Sequence, residues 1–276
     1  MTWVKAGPKD AGHIEDFLRK YEAYCIHLCE SYIREGRQII QKGGMLVRLE
    51  SGGISGIIGT DHNGHLYPCL LCGPDSTEMK TITGYLKKLP KIVSSMGTSD
   101  SVDILSELIP VSLYRKIDYD LMRENGHLGQ SADGILSIRE MKTKDIAGVF
   151  PLQEGYEKEE VLLNPENFNR TASLMLLQKR LKQYPHYIGR HDGEIVTMAR
   201  INAMSWNLYQ IGGVYTLPAF RSRGFGGEIM RYTMDEIHSK GRSALLFVKK
   251  TNSPAISLYR KLKFSKISDF SIAYFG

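Results

Sequence analysis

The chain has 276 residues, 42% hydrophobic and 24% charged, with a net charge of +6 and a pI near 9.0. That length predicts two domains, and the composition is that of a soluble globular protein with no apolar run long enough to span a bilayer, so no membrane partner is expected. The basic residues are dispersed rather than gathered in one tract, which argues against nucleic acid as a partner and leaves a polyanionic small molecule as sufficient reason for the charge.

The opening MTWVKAGPKD holds no apolar segment of signal-peptide type, and a cytoplasmic protein is expected. From about 13 to 33, Ile14, Phe17, Leu18, Tyr21, Cys25, Leu28 and Tyr32 recur at helical spacing and predict one long amphipathic helix. MLVRLE, GISGIIGT and HLYPCLLC, separated by turn residues, then predict three antiparallel strands. Asp75 with Glu78 predicts the capped start of a helix running to about Leu89, followed by a strand near 91–97 and a segment at 113–122 that completes a small mixed sheet. All four cysteines fall in this half. Cys25 and Cys29 lie one helical turn apart and Cys69 and Cys72 form a CxxC, so a four-thiolate zinc site is conceivable. Strand alternation puts Cys69 and Cys72 on opposite faces, however, and the expectation is no metal and buried apolar roles.

Residues 124–134, within RENGHLGQSADG, read as a linker between a first domain at 1–123 and a second at 135–276. Thr143 is a candidate N-cap for a helix containing Ile146, Val149 and Phe150. Beyond Pro151, QEGYEKEEVLL sets Glu157 and Glu160 about one turn apart with Glu159 nearby. An amine nucleophile is protonated at neutral pH, and a partly desolvated glutamate can take its proton; recognition of a cationic substrate or a merely solvated acidic face are the competing readings. A helix over 171–181 precedes YIGR and EIVTMARINA, paired around HisAspGly at 191–193. In the next strand, LYQIGGVYT, Gly212 and Gly213 signal a bulge or close backbone approach, or else sheet curvature alone.

That strand runs into VYTLPAFRSRGFGGEIM at 214–230, the stretch with most chemistry in it. A proline turn leads to Arg221, Ser222, Arg223, Gly224, Phe225, Gly226 and Gly227, which open an amphipathic helix striped by Ile229, Met230, Thr233, Met234 and Ile237. Glycines that allow close backbone approach, the open amides of a helix N-terminus and two arginines together make an anion cradle. Counting GxGxxG from Gly224 puts Ile229 where the third glycine belongs, and Gly227 is followed by Glu228 rather than a P-loop lysine. What remains is (Q/R)xxGx(G/A), satisfied by Arg221, Gly224 and Gly226. It resembles the pyrophosphate loop of the GNAT superfamily of acyl-CoA-dependent N-acyltransferases.

One strand further on, NSPAISLYRKLKF at 252–264 is similar to that family's NxxAxxLYxxxGF segment at Asn252, Ala255, Leu258, Tyr259 and Phe264, with Lys263 in place of the family glycine. The resemblance covers mainly 209–264. It implies an α/β (α+β mixed sheet) fold, acetyl-CoA as acyl donor and direct attack of an amine on the thioester. In the roles it implies, Val214, Tyr215 and Thr216 face the pantetheine arm, residues 221–227 hold the pyrophosphate, Asn252 bonds the cofactor and Tyr259 protonates the leaving thiolate. Glu157 and Glu160 become candidate bases. The competing reading of Tyr259 is a core aromatic. The first half repeats the inferred element order without the arginine-glycine loop, since GPDSTE follows Cys72, so tandem GNAT-like folds with a degenerate N-terminal copy are expected. The alternative function is an acyl-CoA-binding sensor or scaffold without turnover. The acceptor is not specified by fold or cofactor motif, and a homodimer is compatible with the reading.

Overall fold

A computed structural model of the chain describes residues 2–41, 44–126, 134–162 and 164–276. It divides into two compact units, one of Met1–Met122, Phe247–Asn252 and Lys266–Gly276 and the other of Arg123–Leu246 and Ser253–Ser265. The units are therefore not two consecutive blocks of chain. Of the expected linker, residues 127–133 lie outside the described residues.

In the first unit, β1 (Thr2–Lys5) precedes three helices, α1 (Ala11–Lys20), α2 (Ile26–Glu35) and α3 (Arg37–Gln41), with a 3₁₀ turn at Glu22–Tyr24. The single long helix expected over 13–33 is thus interrupted. Tyr21 and Cys25 leave helical geometry at φ −110°, ψ 21° and φ −138°, ψ 38°, and the Cys29 thiol reaches back to the Leu18 carbonyl at 3.5 Å. Ile14, Phe17, Leu18, Leu28 and Tyr32 stay buried on both sides of the break, so periodicity alone could not reveal it. The meander β2 (Met45–Glu50), β3 (Gly53–Thr60) and β4 (His65–Leu70) is antiparallel as expected. α4 (Ser76–Leu86) begins with a reciprocal cap: Asp75 Oδ1 accepts from the amides of Thr77 and Glu78, and Glu78 Oε2 accepts from the Asp75 amide. Glu78 is also buried against Arg48, whose Nε and Nη2 donate to its two oxygens at 2.7 and 2.8 Å. β5 (Ser94–Thr98), α5 (Ser99–Leu108) and β6 (Leu113–Glu124) follow. Cys25, Cys29 and Cys69 are buried free thiols, with Cys25 and Cys29 Sγ 3.7 Å apart, while Cys72 is exposed and accepts from Arg48 Nη1.

The second unit starts with β7 (Ser137–Glu140) and a 3₁₀ turn at Thr143–Asp145. Here the Asp145 carboxylate, not the expected Thr143 cap, accepts the Lys142 amide at 2.8 Å. α6 (Ile146–Tyr156) carries Pro151 inside it and continues as a π-helical turn, Glu157–Val161. α7 (Arg170–Leu181) is capped by Asn169, whose side chain accepts the Ala172 amide. β8 (His186–His191), β9 (Glu194–Met204) and β10 (Leu208–Thr216) form an antiparallel meander, turning at Asp192 and Gly193 with φ of 50° and 83°. α8 (Phe225–His238), β11 (Ser243–Lys249) and α9 (Ser253–Lys261) complete the order, β11 lying parallel to β10 over residues 208–211. Its core packs Val149, Phe150 and Leu152 of α6 on Ile188, Ile195, Met198 and Tyr215 of the sheet.

The last strand, β12 (Phe264–Phe275), pairs antiparallel with β5, Phe270 opposite Thr98 through Tyr274 opposite Ser94. Ala273 and Phe275 join the first unit's core beside Trp3, Ile58, Leu66 and Val102. The chain's final residues therefore complete the first unit, although they had been expected in a second domain at 135–276.

Candidate active site

β10 ends at Thr216 and the chain turns through Pro218–Phe220 into the loop read as an anion cradle. Ser222 and Gly224 both have positive φ, 62° and 86°. A Cβ on Gly224 would meet nothing within 4 Å, so it is the left-handed backbone at the N-cap of α8, not lack of space, that favours glycine there. The first turn's hydrogen bonds close on Gly224 O, from the amides of Gly227 at 2.9 Å and Glu228 at 3.1 Å. The amides just upstream are the open donors of a helix start, where the dipole favours an anion. Gly226 and Gly227 serve packing: a Cβ at either would stand 3.3 or 3.6 Å from Leu258 of α9. Phe225 is buried against the His191 ring at 5.0 Å, and Glu228 accepts from the amides of Ile135 and Leu136 at 3.0 Å. A firm base thus presents an exposed rim at 221–224, with Arg223 lying over the Phe220 ring at 5.2 Å.

Arg221 is already engaged. Its Nη2 donates to both oxygens of Glu159 at 2.8 and 3.0 Å, its Nε to the Thr216 carbonyl at 3.1 Å, and its guanidinium lies 5.1 Å from the Tyr215 ring centre. The Tyr215 hydroxyl donates to the same carboxylate at 2.5 Å. Burial, reinforced by Glu159, pushes the Tyr215 phenol up to about 12. Gly155 permits this contact, because a Cβ there would lie 2.4 Å from the Tyr215 hydroxyl oxygen. Of the three neighbouring glutamates, Glu159 is thus the one that meets the cradle, whereas the sequence favours Glu157 and Glu160. The π-helical turn supplies the reason, since its larger number of residues per turn shifts these side chains off the α-helical faces that one-turn spacing assumes.

Glu157 is half-buried and accepts from Gln153 Nε2 at 2.6 Å. Tyr259 is buried on α9, its ring 6.1 Å from that of Phe264. Burial holds its phenol well above the ordinary range, and Tyr156 and Glu160 push the same way. Lys263, in the place of the family glycine, has φ 62°, so the left-handed turn before Phe264 is kept with a lysine in it. Asn252 closes a turn onto the Lys249 carbonyl just before α9.

β10 slips register against β9 between Gly212 and Tyr215, which places Val214 in a bulge. Gly213 has φ 58° there. A Cβ on Gly212 would meet Asn202 Nδ2 at 2.1 Å, and one on Gly213 would meet Arg200 Nε at 2.7 Å. Both the bulge and the close approach signalled by the glycine pair are therefore present. At the end of the strand, Thr197 Oγ1 donates to Tyr215 O at 3.0 Å and shares a hydrogen bond with Thr216 Oγ1. Arg200 is buried beneath the bulge, and sequence reasoning passed over it. Alternation gives no signal for it, because residues 195–201 of β9 are all buried. Among the described residues no group of three or more His, Cys, Asp or Glu is placed to hold a metal ion, and no helix is long and apolar enough to cross a membrane.

The FR47-like protein family model matches residues 193–272, which include β9, β10, the cradle and α9. No curated protein matches. Among solved structures, a Drosophila protein aligns with a TM-score of 0.67 at 12% identity, covering 99% of this chain and 98% of its own. A GNAT-family acetyltransferase from Colwellia psychrerythraea gives 0.59 at 7% identity over 100% of both chains. A GCN5-related N-acetyltransferase from Kribbella flavida gives 0.54 at 13% identity, over 90% of this chain and 95% of that one. The fold is the mixed α/β fold of GNAT acetyltransferases.

Proposed function

We propose that the chain is an acyl-CoA-dependent N-acyltransferase with acetyl-CoA as donor and a primary amine as acceptor, its site lying between the cradle and the bulge of β10. The observation that carries this reading is the left-handed Gly224 at the start of α8, with open helix amides and the guanidinium groups of Arg221 and Arg223 on one exposed rim. These are the residues that would hold a pyrophosphate through charge-assisted hydrogen bonds. When bound, the thioester supplies an activated acyl group. Backbone amides around Val214 would polarise its carbonyl. Glu157 or Glu160 would take the proton of the attacking amine, and Tyr259, kept protonated by burial, would give one to the departing thiolate. Asn252 would bond the cofactor ahead of α9. The tandem-copy reading of the first half is supported by element order, since strand, helices, three-stranded meander, helix, strand, helix and strand recur in β1 to β6 and in β7 to β12.

The test is calorimetric titration of acetyl-CoA into wild type and a Gly224→Glu, Gly226→Glu double variant, followed by an amine panel monitored for free thiol. Stoichiometric binding by wild type alone, with thiol release, is expected. Binding without release on any amine would favour a sensor module, and no binding by wild type would refute the cradle. Tyr259→Phe should lower turnover with CoA affinity kept, and equal activity would remove its assigned role.

A further inference from the structure

Among the described residues two arginines are almost completely buried, Arg48 at 4% exposure and Arg200 at 5%, and they are treated differently. Arg48 is neutralised by Glu78 through two short bonds. Arg200 is not neutralised in that way. Its Nη1 donates to Gln153 Oε1 at 2.9 Å, its Nε to Asn202 Oδ1 at 3.0 Å, and its remaining partner is the Tyr156 hydroxyl, over whose ring the guanidinium lies at 5.1 Å. Every acceptor bonded to it is neutral, while Glu157 acts on its charge without a direct bond and accepts instead from the same Gln153 side chain. A buried charge solvated only by amides and a phenol is costly, and such an arrangement is completed when an anion joins it.

A second group in the same row is also incomplete. His186 of β8 is the cross-strand partner of Arg200, and Arg200 is in turn the partner of Gly212. With Nδ1 donating to the Tyr184 carbonyl at 2.9 Å, His186 Nε2 remains a buried acceptor without a partner. The third position, Gly212, has no side chain of its own, and the Asn202 amide packs over it. Tyr156, Asn202 and Gly212, the neighbours of Arg200, are half-buried, as is Glu157. Thr216, whose carbonyl accepts from Arg221, lies four residues beyond Gly212 on β10, roughly 13 Å away at strand rise. The phosphate-binding end and the Arg200 niche are therefore distinct places on one strand, with the bulge at Val214 between them.

We propose that Arg200 seats a carboxylate of the substrate, carried by either the amine acceptor or the acyl chain. This rests on the acyltransfer reading above. The experiment measures kcat/KM by thiol release for pairs matched in length that differ at the carboxylate, glycine against glycinamide and β-alanine against β-alaninamide with acetyl-CoA, and succinyl-CoA against butyryl-CoA with an amine that carries no carboxylate. Wild type should favour the carboxylate at least tenfold in one arm, which also identifies the source. Arg200→Gln should reduce that preference to less than twofold while CoA affinity by calorimetry stays within twofold, and Arg200→Lys should retain part of it. No preference in either arm of an active wild type would overturn the proposal, as would equal loss for both members of each pair in Arg200→Gln, because that marks Arg200 as a cross-link between α6 and the sheet. If Arg200→Gln fails to fold, the wild-type pairs and Arg200→Lys decide. If wild type neither binds CoA nor releases thiol, the acyltransfer reading fails by itself. The seat is then judged by calorimetry with glycine and succinate against their amides: selective carboxylate binding that is weakened in Arg200→Lys and lost in Arg200→Gln supports it, and no selective binding overturns it.

Discussion

Glu159→Gln should tighten binding of CoA. In the free protein Glu159 draws Arg221 Nη2 to itself, yet both side chains are nearly half exposed, at 44% and 45%. An exposed pair of this kind is worth about 0.5 to 1 kcal/mol, and both carboxylate oxygens share one nitrogen rather than engaging the guanidinium fork. A pyrophosphate on the cradle must displace that pair and then sit near a carboxylate, a repulsion of about 0.5 kcal/mol at ~6 Å in water before screening. Removing the charge while keeping an acceptor for the Tyr215 hydroxyl should therefore gain about 1 to 1.5 kcal/mol, or roughly five- to tenfold in Kd. Calorimetry at low and at high salt reads both the gain and its decline as the charges are screened. An unchanged or weaker affinity in Glu159→Gln would refute the reasoning, and would mean either that Arg221 does not meet phosphate or that Glu159 holds it in the binding pose.

Lys263→Gly should stabilise the protein by about 1 kcal/mol, raising the melting temperature by about 2 °C, because Lys263 holds φ 62° where glycine has no steric penalty; a lower melting temperature would mean that the lysine side chain contributes more than the strain costs. His186 is lowered from 6.5 to about 4, first by burial and then by the charges of Arg200 and Arg180, against the bond to Tyr184. Its neutral form therefore contributes stability in full above 6.5 that is lost as pH falls toward 4, on the order of 3 kcal/mol. Urea titrations across that range should show the loss in wild type and a flatter curve in His186→Gln. Asp145 is lowered from 3.8 to about 2, chiefly by the hydrogen bond from Arg139, so its contribution is present above 3.8 and disappears as pH falls through 2. In Arg139→Gln the stability lost between pH 3.8 and 2 should shrink, because the folded pKa moves back toward the unfolded one, and an unchanged loss would show that the pair does not govern acid stability. Gly212→Ala should cost more than a surface substitution, since its Cβ meets Asn202 Nδ2 at 2.1 Å; a melting curve superimposable on wild type would show that Asn202 yields freely.

What was legible in the sequence is what repeats at short range. The stripe of Ile229, Met230, Thr233, Met234 and Ile237 is buried throughout, the Asp75–Glu78 cap closes reciprocally, and the glycine pair in β10 marks a bulge. Contacts between residues distant in sequence were not legible. No local pattern says that Glu159 meets Arg221 across 62 positions, or that residues 270–274 pair with β5. The helix break at residues 21–25 was hidden for the opposite reason, because the apolar stripe continues in phase on both sides of it.

Arg200 lies between these cases, and so does what it implies about the site. Its place on a strand is a local fact, readable from EIVTMARINA, but its burial and its meaning depend on what the rest of the fold brings to it. Had α6 supplied a carboxylate where Gln153 stands, the guanidinium would be a structural ion pair like Arg48 with Glu78. Gln153 supplies an amide instead, and passes its own donor to Glu157. The row from His186 through Arg200 to Gly212 then combines an unused acceptor, an unneutralised cation and a backbone without a side chain. A core built for stability alone would favour neither an unused buried acceptor nor a buried cation without a counter-charge. Together they are what a site needs if part of its hydrogen bonding is to be completed by substrate.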